Sequence, residues 1–339
     1  QILTAETQNS EAYKHYIQGN SQHKLDAESC RKAIEYYKQA IALDSTYAQP
    51  YAGLAEAYFM LTSWENLESD TFLIPTSKKM DLKAKELDEN LGDPYYVFGS
   101  ISYMHEWDWE GAEKLFKKGI QLNPNLVWGR NMYSNLLSIM RRFEEAISIS
   151  ELSLKMDPLD PTPYIELGGA YWWNGQKEKA YELYMQGIEL NPDIWNFKRL
   201  LSIYYLEKGI NFQYILDFCE EQLEELEQSG LDLHTMPAFA LGDIGYLLAQ
   251  IGHRKQADRI LNELTRRVGA GEKDISYLWM GLMYYVWGDI EKAVDYLELS
   301  YEAREDFMFI INVTPEFNDE ELRSNPRFQA LIRKLGFET

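Results

Sequence analysis

Residues 161 to 192 read PTPYIELGGAYWWNGQKEKAYELYMQGIELNP, and this stretch decides the fold. Two apolar segments flank a turn at Gly175, and glycine supplies the positive φ that such a turn needs. The residue before Pro192 resists helical geometry, so the second segment ends there. The stretch therefore predicts two packed helices, with the small residues Gly168 and Ala180 where they cross closely.

The same spacing recurs along most of the chain. Pro124, Pro158 and Pro192 follow one another at intervals of 34 residues. Four further copies keep small residues at the two crossing positions, namely Gly99 and Ala112, Ser134 and Ala146, Gly245 and Ala257, and Gly281 and Ala293. A helix–turn–helix unit of this period cannot bury its apolar face alone, so the copies must stack. The predicted fold class is an all-α solenoid.

We predict a single solenoid of about eight repeats over residues 1–339. The segments are a linker remnant at 1–10, repeats at 11–47, 48–91, 92–126, 127–160, 161–194, 195–237, 238–273 and 274–307, and a C-terminal cap at 308–339. The second repeat carries an insertion at 62–76 between its helices. The sixth repeat is degenerate, because Tyr214 stands where a small residue belongs.

The C-terminal cap contains one predicted amphipathic helix, at residues 326–335. Its apolar stripe consists of Phe328, Leu331, Ile332 and Leu335. A terminal repeat of a solenoid needs such a cover, because no further repeat packs on it.

The charge balance excludes two classes of partner. The chain has 33 basic and 54 acidic residues, a net charge of −21. Nucleic acid is excluded because its binding needs lysine and arginine to neutralise phosphates, and anionic lipid is excluded for the same reason. A dense acidic patch at 220–227 is interpreted as a solvated helix face. No apolar run is long enough to predict a membrane span.

The cysteines and the first residues bear on the cellular location. Cys30 and Cys219 fall in the first and sixth repeats, so we expect no internal disulfide, which agrees with a reducing cytoplasm. The chain starts at Gln1 without an initiator Met or a signal-peptide pattern, which we interpret as an excised or processed fragment. The cytoplasm is favoured, and the periplasm stays open if a membrane span precedes the fragment.

These residues resemble the tetratricopeptide repeat superfamily across nearly the whole chain. A narrower resemblance rests on WDWEGAE at 107–113, LNPN at 122–125 and LRSNPRFQAL at 322–331. These segments resemble the C-terminal repeat region of bacterial multidomain signalling proteins. The resemblance implies a right-handed superhelix. It also implies an N-terminal output domain, which would be an adenylate or guanylate cyclase, a winged-helix regulator or a Ser/Thr kinase.

Motifs of catalysis and cofactor binding do not occur in the sequence. It has no HExxH, CxxC, GxxxxGK[ST], GxSxG or GxGxxG. We therefore expect no enzyme, no cofactor and no metal in this chain. The stretch HEWD at 105–108 has metal-binding residue types, but its place between two predicted helices indicates a turn.

The resemblance also implies a concave groove lined by the first helix of each repeat. The predicted groove residues are Tyr96, Tyr103, Trp128, Asn131, Asn135, Trp172, Trp173, Arg199 and Tyr246. Rings provide contact area and amides bind a peptide backbone, so the lining is typical of a peptide or small-ligand site. Asn131 and Asn135 are four residues apart and share one helical face. Packing between helices is the competing interpretation for each aromatic residue.

The predicted function is non-catalytic binding of a protein or peptide, with a small-molecule ligand as a further option. Two settings stay open: the regulatory or sensing part of a bacterial signalling protein, and a free-standing adaptor that scaffolds a complex. A receptor for acidic chaperone tails is not favoured. In the family, that clamp places Lys and Arg beside Asn, whereas this chain has Thr162 and Glu166 in the repeat that follows Asn131 and Asn135.

Overall fold

The computed structural model consists of helices joined by turns, with no β-strand among the residues it describes. Those residues are 7–22, 27–62, 67–192, 194–228, 230, 232–272, 275–305, 308–313 and 320–337. The all-α prediction is confirmed. Within these ranges, no helix combines the length and the apolar character that crossing a bilayer requires.

The chain divides into two compact units, residues 1–133 and 134–339, referred to below as unit 1 and unit 2. The helices up to the division are α1 (Ser10–Asn20), α2 (Ala27–Leu43), α3 (Ala48–Thr62), α4 (Leu67–Leu87), α5 (Asp93–Ile101), α6 (Trp109–Leu122) and α7 (Val127–Ile139). A short π-helical segment, Ser102–Glu106, extends α5. The division falls inside α7, after Tyr133.

Unit 2 contains the remaining helices. They are α8 (Phe143–Met156), α9 (Thr162–Trp173), α10 (Lys177–Leu190), α11 (Trp195–Lys208), α12 (Phe212–Gln228), α13 (Ala238–Gln250), α14 (Arg254–Ala270), α15 (Tyr277–Val286), α16 (Ile290–Ala303), α17 (Glu320–Ser324) and α18 (Pro326–Lys334). A 3₁₀ turn, Met308–Asn312, lies between α16 and α17.

Helices pack both in hairpins and in rows. In unit 1, α1 packs on α2, α3 on α4 and α5 on α6, and α3 also contacts α1 and α5. In unit 2, α9 packs on α10 and α15 on α16, and α13 contacts α15. First helices of successive hairpins therefore lie side by side within a unit, as stacked repeats require.

One residue in the turn of successive hairpins adopts the left-handed region. Trp107, Arg141, Gly175 and Gly209 are 34 residues apart and have φ of 58°, 61°, 78° and 65°. Glycine takes this conformation without steric cost, so Gly175 is suited to end α9. The backbone N–H that follows Gly175 donates to the carbonyl oxygen of Tyr171 at 2.8 Å, which satisfies one of the open helix-end carbonyls.

Small residues sit where a ring from the neighbouring helix presses on the backbone. A Cβ added to Gly168 would collide with the ring of Tyr184, and Ala180 on the same hairpin is fully buried. The same arrangement recurs in unit 1, where the Tyr37 ring lies against both Gly19 and Gly53. These contacts explain why the small positions repeat with the helices.

The second repeat differs from its predicted layout. The segment 62–76 was expected to be an insertion between helices, but α4 begins at Leu67 and continues through Pro75. Most of the expected insertion is therefore helical, and residues 63–66 lie outside the described residues. Proline removes one backbone hydrogen bond from a helix, so Pro75 made this segment look non-helical in the sequence.

The C-terminal capping helix is confirmed. Helix α18 buries Phe328, Leu331 and Ile332 and packs on α16. Asn325 caps its N-terminus by accepting hydrogen bonds from the backbone amides of Arg327 and Phe328. Arg327 adds ion pairs to acids of α16, among them Asp295 at 2.7 Å.

Candidate ligand-binding surfaces of the first helices

Two of the predicted groove residues belong to the core of unit 1. Tyr96 is fully buried, and its hydroxyl donates to the carbonyl oxygen of Asn123 at 2.8 Å. Its ring occupies the space beside Gly129, where a Cβ would collide with it. Tyr103 is 1% exposed and packs on Phe116 with ring centroids 6.0 Å apart. Both tyrosines hold helices together, so we leave them out of the site proposed below.

Four other residues of unit 1 form a cluster on the first helices, which we term the Asn131 cluster. It consists of Phe59 on α3, His105 on the π-helical segment, and Trp128 and Asn131 on α7. The Phe59 ring centroid lies 6.2 Å from those of both His105 and Trp128, with edge-to-face geometry at each contact. Trp128 and Asn131 are three residues apart and therefore share one face of α7.

Asn131 is the unusual member of the cluster. Its side chain is 0% exposed, and neither its amide nitrogen nor its amide oxygen has a hydrogen-bond partner among the described residues. The indole nitrogen of Trp128 is in the same situation. A buried polar group without a partner costs about 1–3 kcal/mol, and such groups are few in native proteins. Trp128 as a residue is partly exposed.

The π-helical segment brings His105 to this cluster. Its irregular hydrogen bonding ends with Trp107 in the left-handed region and the N–H of Asp108 bonded to the Ser102 carbonyl oxygen at 2.9 Å. Asp108 then caps α6 by accepting from the amide of Gly111. Segments of this kind occur frequently at functional sites. The predicted turn at 105–108 is therefore wrong in its first half, because His105 and Glu106 end the π-helical segment and only Trp107 and Asp108 connect it to α6. The described residues contain no group of three metal-ligating side chains.

Asn135, on the unit 2 side of α7, pairs with an acid. Its amide nitrogen donates to the Glu166 carboxylate of α9 at 3.1 Å. Burial raises the pKa of Glu166 to about 7, against the smaller opposing effect of the Asn135 hydrogen bond. Asn135 therefore differs from Asn131 in having its amide engaged by a titratable carboxyl group.

Arg199 and Tyr246 are brought together in unit 2 through two residues that were not predicted. Arg199 Nε donates to both carboxylate oxygens of Asp243, at 2.9 and 2.8 Å. The Arg199 guanidinium also lies 5.6 Å from the ring centroid of Trp279. Tyr246 packs on the same Trp279 ring at 5.6 Å. These four residues, the Arg199 set, join α11, α13 and α15. The Arg199 charge is neutralised by the Asp243 carboxylate.

The remaining predicted residues, Trp172 and Trp173, lie at the end of α9. Trp172 is 8% exposed, with the ammonium of Lys177 5.2 Å from its ring centroid and the Tyr204 ring 6.4 Å away. Trp173 is partly exposed. The neighbours of Trp172 are thus Lys177 and Tyr204, which do not belong to the Arg199 set.

Sequence reasoning missed Phe59, Asp243 and Trp279. Asp243 did carry a signal, because it is the only charged residue of α13 and a charge in an apolar helix needs a partner. Phe59 carried none, since it is one apolar residue among many in α3. Its role depends on contacts with α7 that the sequence does not display.

Two stretches of the chain, residues 162–194 and 275–307, match the family model of the tetratricopeptide repeat. The chain contains tetratricopeptide repeats. Each matched stretch corresponds to one hairpin of unit 2, α9 with α10 and α15 with α16. Tetratricopeptide repeats are protein-binding modules, so the two matched stretches indicate a protein-binding role.

Two curated relatives share part of the repeat region. "Transcriptional regulator HilA" from Salmonella paratyphi A is 27% identical over 130 residues, which is 38% of this chain and 23% of HilA. "Protein O-mannosyl-transferase TMTC3" from Homo sapiens is 25% identical over 130 residues, 38% of this chain and 14% of TMTC3. The chain thus spans less than a quarter of either relative.

A solved structure supports the same repeat fold over most of the chain. The human IFIT1 dimer with m7Gppp-AAAA superposes with a TM-score of 0.56 at 14% identity, covering 87% of this chain and 72% of IFIT1. Identity at this level establishes a likeness of fold only.

The surroundings of Asn135 differ from those of a carboxylate clamp. Asn135 faces the acid Glu166, and the one basic residue among the predicted groove residues, Arg199, is already paired with Asp243. An acidic peptide terminus would meet no uncompensated positive charge from these side chains. The surroundings of Asn135 therefore favour a different ligand chemistry.

Proposed function

We propose that the tetratricopeptide repeats bind an extended, uncharged or basic peptide segment of a protein partner at the Asn131 cluster. The observation that carries this proposal is the buried Asn131 amide, whose donor and acceptor both lack a partner in the part of the chain that the structure describes. Asn131 is 0% exposed, so binding requires a covering side chain such as the partly exposed Trp128 to move aside. A peptide backbone offers one acceptor and one donor per residue, so it would then satisfy both Asn131 atoms.

The aromatic members of the cluster suit the same ligand. Trp128 and Phe59 present apolar ring area, and tryptophan is enriched among residues that dominate binding energies. No carboxylate or ammonium belongs to the cluster, so charge selects the partner at longer range. With a net charge of −21, the chain repels acidic partners and attracts basic ones.

We further propose that the chain is the non-catalytic regulatory part of a bacterial signalling protein. HilA, one of the relatives, is named a transcriptional regulator, which agrees with this class. TMTC3 is named a transferase, but its match covers only 14% of that protein and carries none of its activity to this chain. A free-standing adaptor is the alternative. Sequencing the gene upstream of Gln1 separates the two, because an output domain in the same reading frame excludes the adaptor.

The peptide proposal is tested with Asn131→Leu, which keeps the side-chain size and removes both unpaired polar atoms. We expect this variant to be more stable than wild type by about 1–3 kcal/mol, because it no longer buries an unsatisfied amide. We also expect it to lose peptide binding, since a residue kept at a cost to stability serves function. Urea unfolding measures the first effect. Selection from a random peptide library displayed on phage, followed by titration of the selected peptides, measures the second.

Asn125→Ala is the matched control, because Asn125 is exposed in the turn before α7. Peptides selected on wild type should bind this control with unchanged affinity. Peptides that bind wild type and Asn131→Leu equally well would show that Asn131 is a structural residue and that the ligand contacts another surface.

A further inference from the structure

The buried face of α4 carries a carboxyl group where other repeats carry a large ring. Ser77, Asp81 and Ala84 follow one another at spacings of four and three residues. Other second helices keep this spacing with a ring between two small residues, as in Ala33, Tyr37 and Ala40, in Ala112, Phe116 and Gly119, and in Ala180, Tyr184 and Gly187. The three rings are core residues, 0–1% exposed. Asp81 therefore occupies a core position of the second repeat.

Contacts on either side of Asp81 place it between α4 and α3. One turn before it, the Ser77 hydroxyl donates to the Ala55 carbonyl oxygen of α3 at 2.8 Å. Three residues after it, Ala84 packs in a buried cluster with Ala52 of α3. Residues three and four apart share one face of a helix, so Asp81 lies on the α4 face that packs against α3.

A carboxyl group at this position has no compensating contact. Asp81 is 0% exposed, and neither of its carboxyl oxygens has a hydrogen-bond partner within the described residues. An ionised carboxylate is costly to bury without a partner, so a group in this position takes up a proton instead. Burial accordingly raises the pKa of Asp81 well above its ordinary value of 3.8.

The charged neighbours of Asp81 act mainly in the same direction. Asp93 is the only charged residue of α5 and Glu56 the only one of α3, and both helices pack on α4. The negative charge of Asp93, and then that of Glu56, raises the pKa of Asp81 further, whereas the charge of Lys85 lowers it. The Lys85 ammonium lies over the Tyr95 ring, 4.5 Å from its centroid. The surroundings therefore favour a neutral acid at Asp81.

We propose that Asp81 is a pH-sensitive switch that controls the packing of α3 on α4. As a neutral acid it stays buried between the two helices, and as a carboxylate it stabilises an opened hairpin in which water reaches it. The opened hairpin releases the proton at about pH 4, whereas the closed one holds it to higher pH, so opening increases as the pH rises through this interval. Opening also displaces Phe59 of α3, and this consequence alone rests on the proposed function of the Asn131 cluster.

The test is hydrogen–deuterium exchange of the α3 and α4 amides between pH 5 and pH 8, measured by mass spectrometry on the full chain without a ligand. Dividing each rate by that of an unstructured peptide at the same pH leaves the equilibrium constant for opening. In wild type we expect this constant to rise about tenfold per pH unit until the closed hairpin also ionises. Asp81→Asn keeps the side-chain size and cannot ionise, so its constant should not change with pH.

Two further variants make the result specific to Asp81. Glu86→Gln removes an exposed carboxyl group from the same helix and should follow wild type at every pH. Asp81→Leu introduces the residue that the last two repeats carry at this position, as Leu261 and Leu297, and should be as insensitive to pH as Asp81→Asn. A wild-type constant that does not change with pH overturns the switch. A pH dependence that persists in both Asp81 variants, or that disappears in Glu86→Gln, overturns it equally.

Discussion

The Glu166 carboxyl makes the stability of unit 2 depend on pH. Burial raises its pKa from 4.5 to about 7 in the folded protein. Between these two values, the folded state holds a proton that the unfolded state has released. Stability therefore falls as the pH rises from about 4.5 to about 7, and it is level above that range. The Asn135 hydrogen bond offsets only part of the cost of the buried charge.

Glu166→Gln removes this charge and keeps an oxygen that accepts from Asn135. We expect the variant to exceed wild type in free energy of unfolding by about 1–3 kcal/mol at pH 8, and to match it at pH 4. Urea unfolding at the two pH values measures the difference. Glu182→Gln, exposed on α10, is the control and should change stability little at either pH. A gain of equal size at both pH values would contradict the assignment of the titration to Glu166.

Tyr96 and Asn131 show how far residue roles could be predicted from the sequence. Both occupy the fifth position of their predicted repeats, so periodicity assigns them to the same helix face. Their roles differ because Gly119 and Gly129 leave room for the Tyr96 ring between helices, whereas no described group pairs with the Asn131 amide. A repeat pattern predicts on which face of a helix a residue lies. Whether that side chain is packed or paired depends on neighbours from other repeats.

At the scale of elements, the recurring small residues predicted most helices because they mark close contacts between helices, with a ring at Gly168 and with aliphatic side chains at Gly245 and Gly281. The elements that were missed lack that cue. Helix α4 contains Pro75, and the π-helical segment Ser102–Glu106 follows hydrogen bonds that no side-chain period marks. The sixth repeat keeps its two helices although Tyr214 replaces the small residue, because Ile215 and Cys219 fill the core of α12 instead.

Two adjacent glycines of α9 allow the effect of packing on stability to be measured separately from the effect of helix propensity. In Gly168→Ala the new methyl group collides with the buried Tyr184 ring, whereas in Gly169→Ala its nearest neighbour is Trp173 Cζ3 at 3.9 Å. We expect the first change to cost about 1–3 kcal/mol, since a well-packed site has no room for it. The second should gain up to about 1 kcal/mol, because alanine favours the helix over glycine. Urea unfolding compares them, and equal effects would show that the register of α9 and α10 is wrong.

At the scale of the whole molecule, each repeat is stabilised by its neighbours, so the last one depends on what covers it. Helix α18 supplies that cover with three large buried side chains, while its Arg327 binds acids of α16 at the rim. The apolar contacts carry most of the stabilisation, because ion pairs exposed to solvent contribute little.

Truncation after Ser324 removes α18 and uncovers the apolar surface of α16. From the burial of Phe328, Leu331 and Ile332, we expect a loss of roughly 5 kcal/mol in the free energy of unfolding and self-association at low micromolar concentration. Urea unfolding measures the first and light scattering after gel filtration the second. Arg327→Gln keeps the helix and deletes its ion pairs, so it should remain monodisperse if the apolar cover is what matters. A truncated chain as stable and as monodisperse as wild type would mean that the eighth repeat closes the solenoid without a cap, whereas aggregation of Arg327→Gln would assign the capping role to charge.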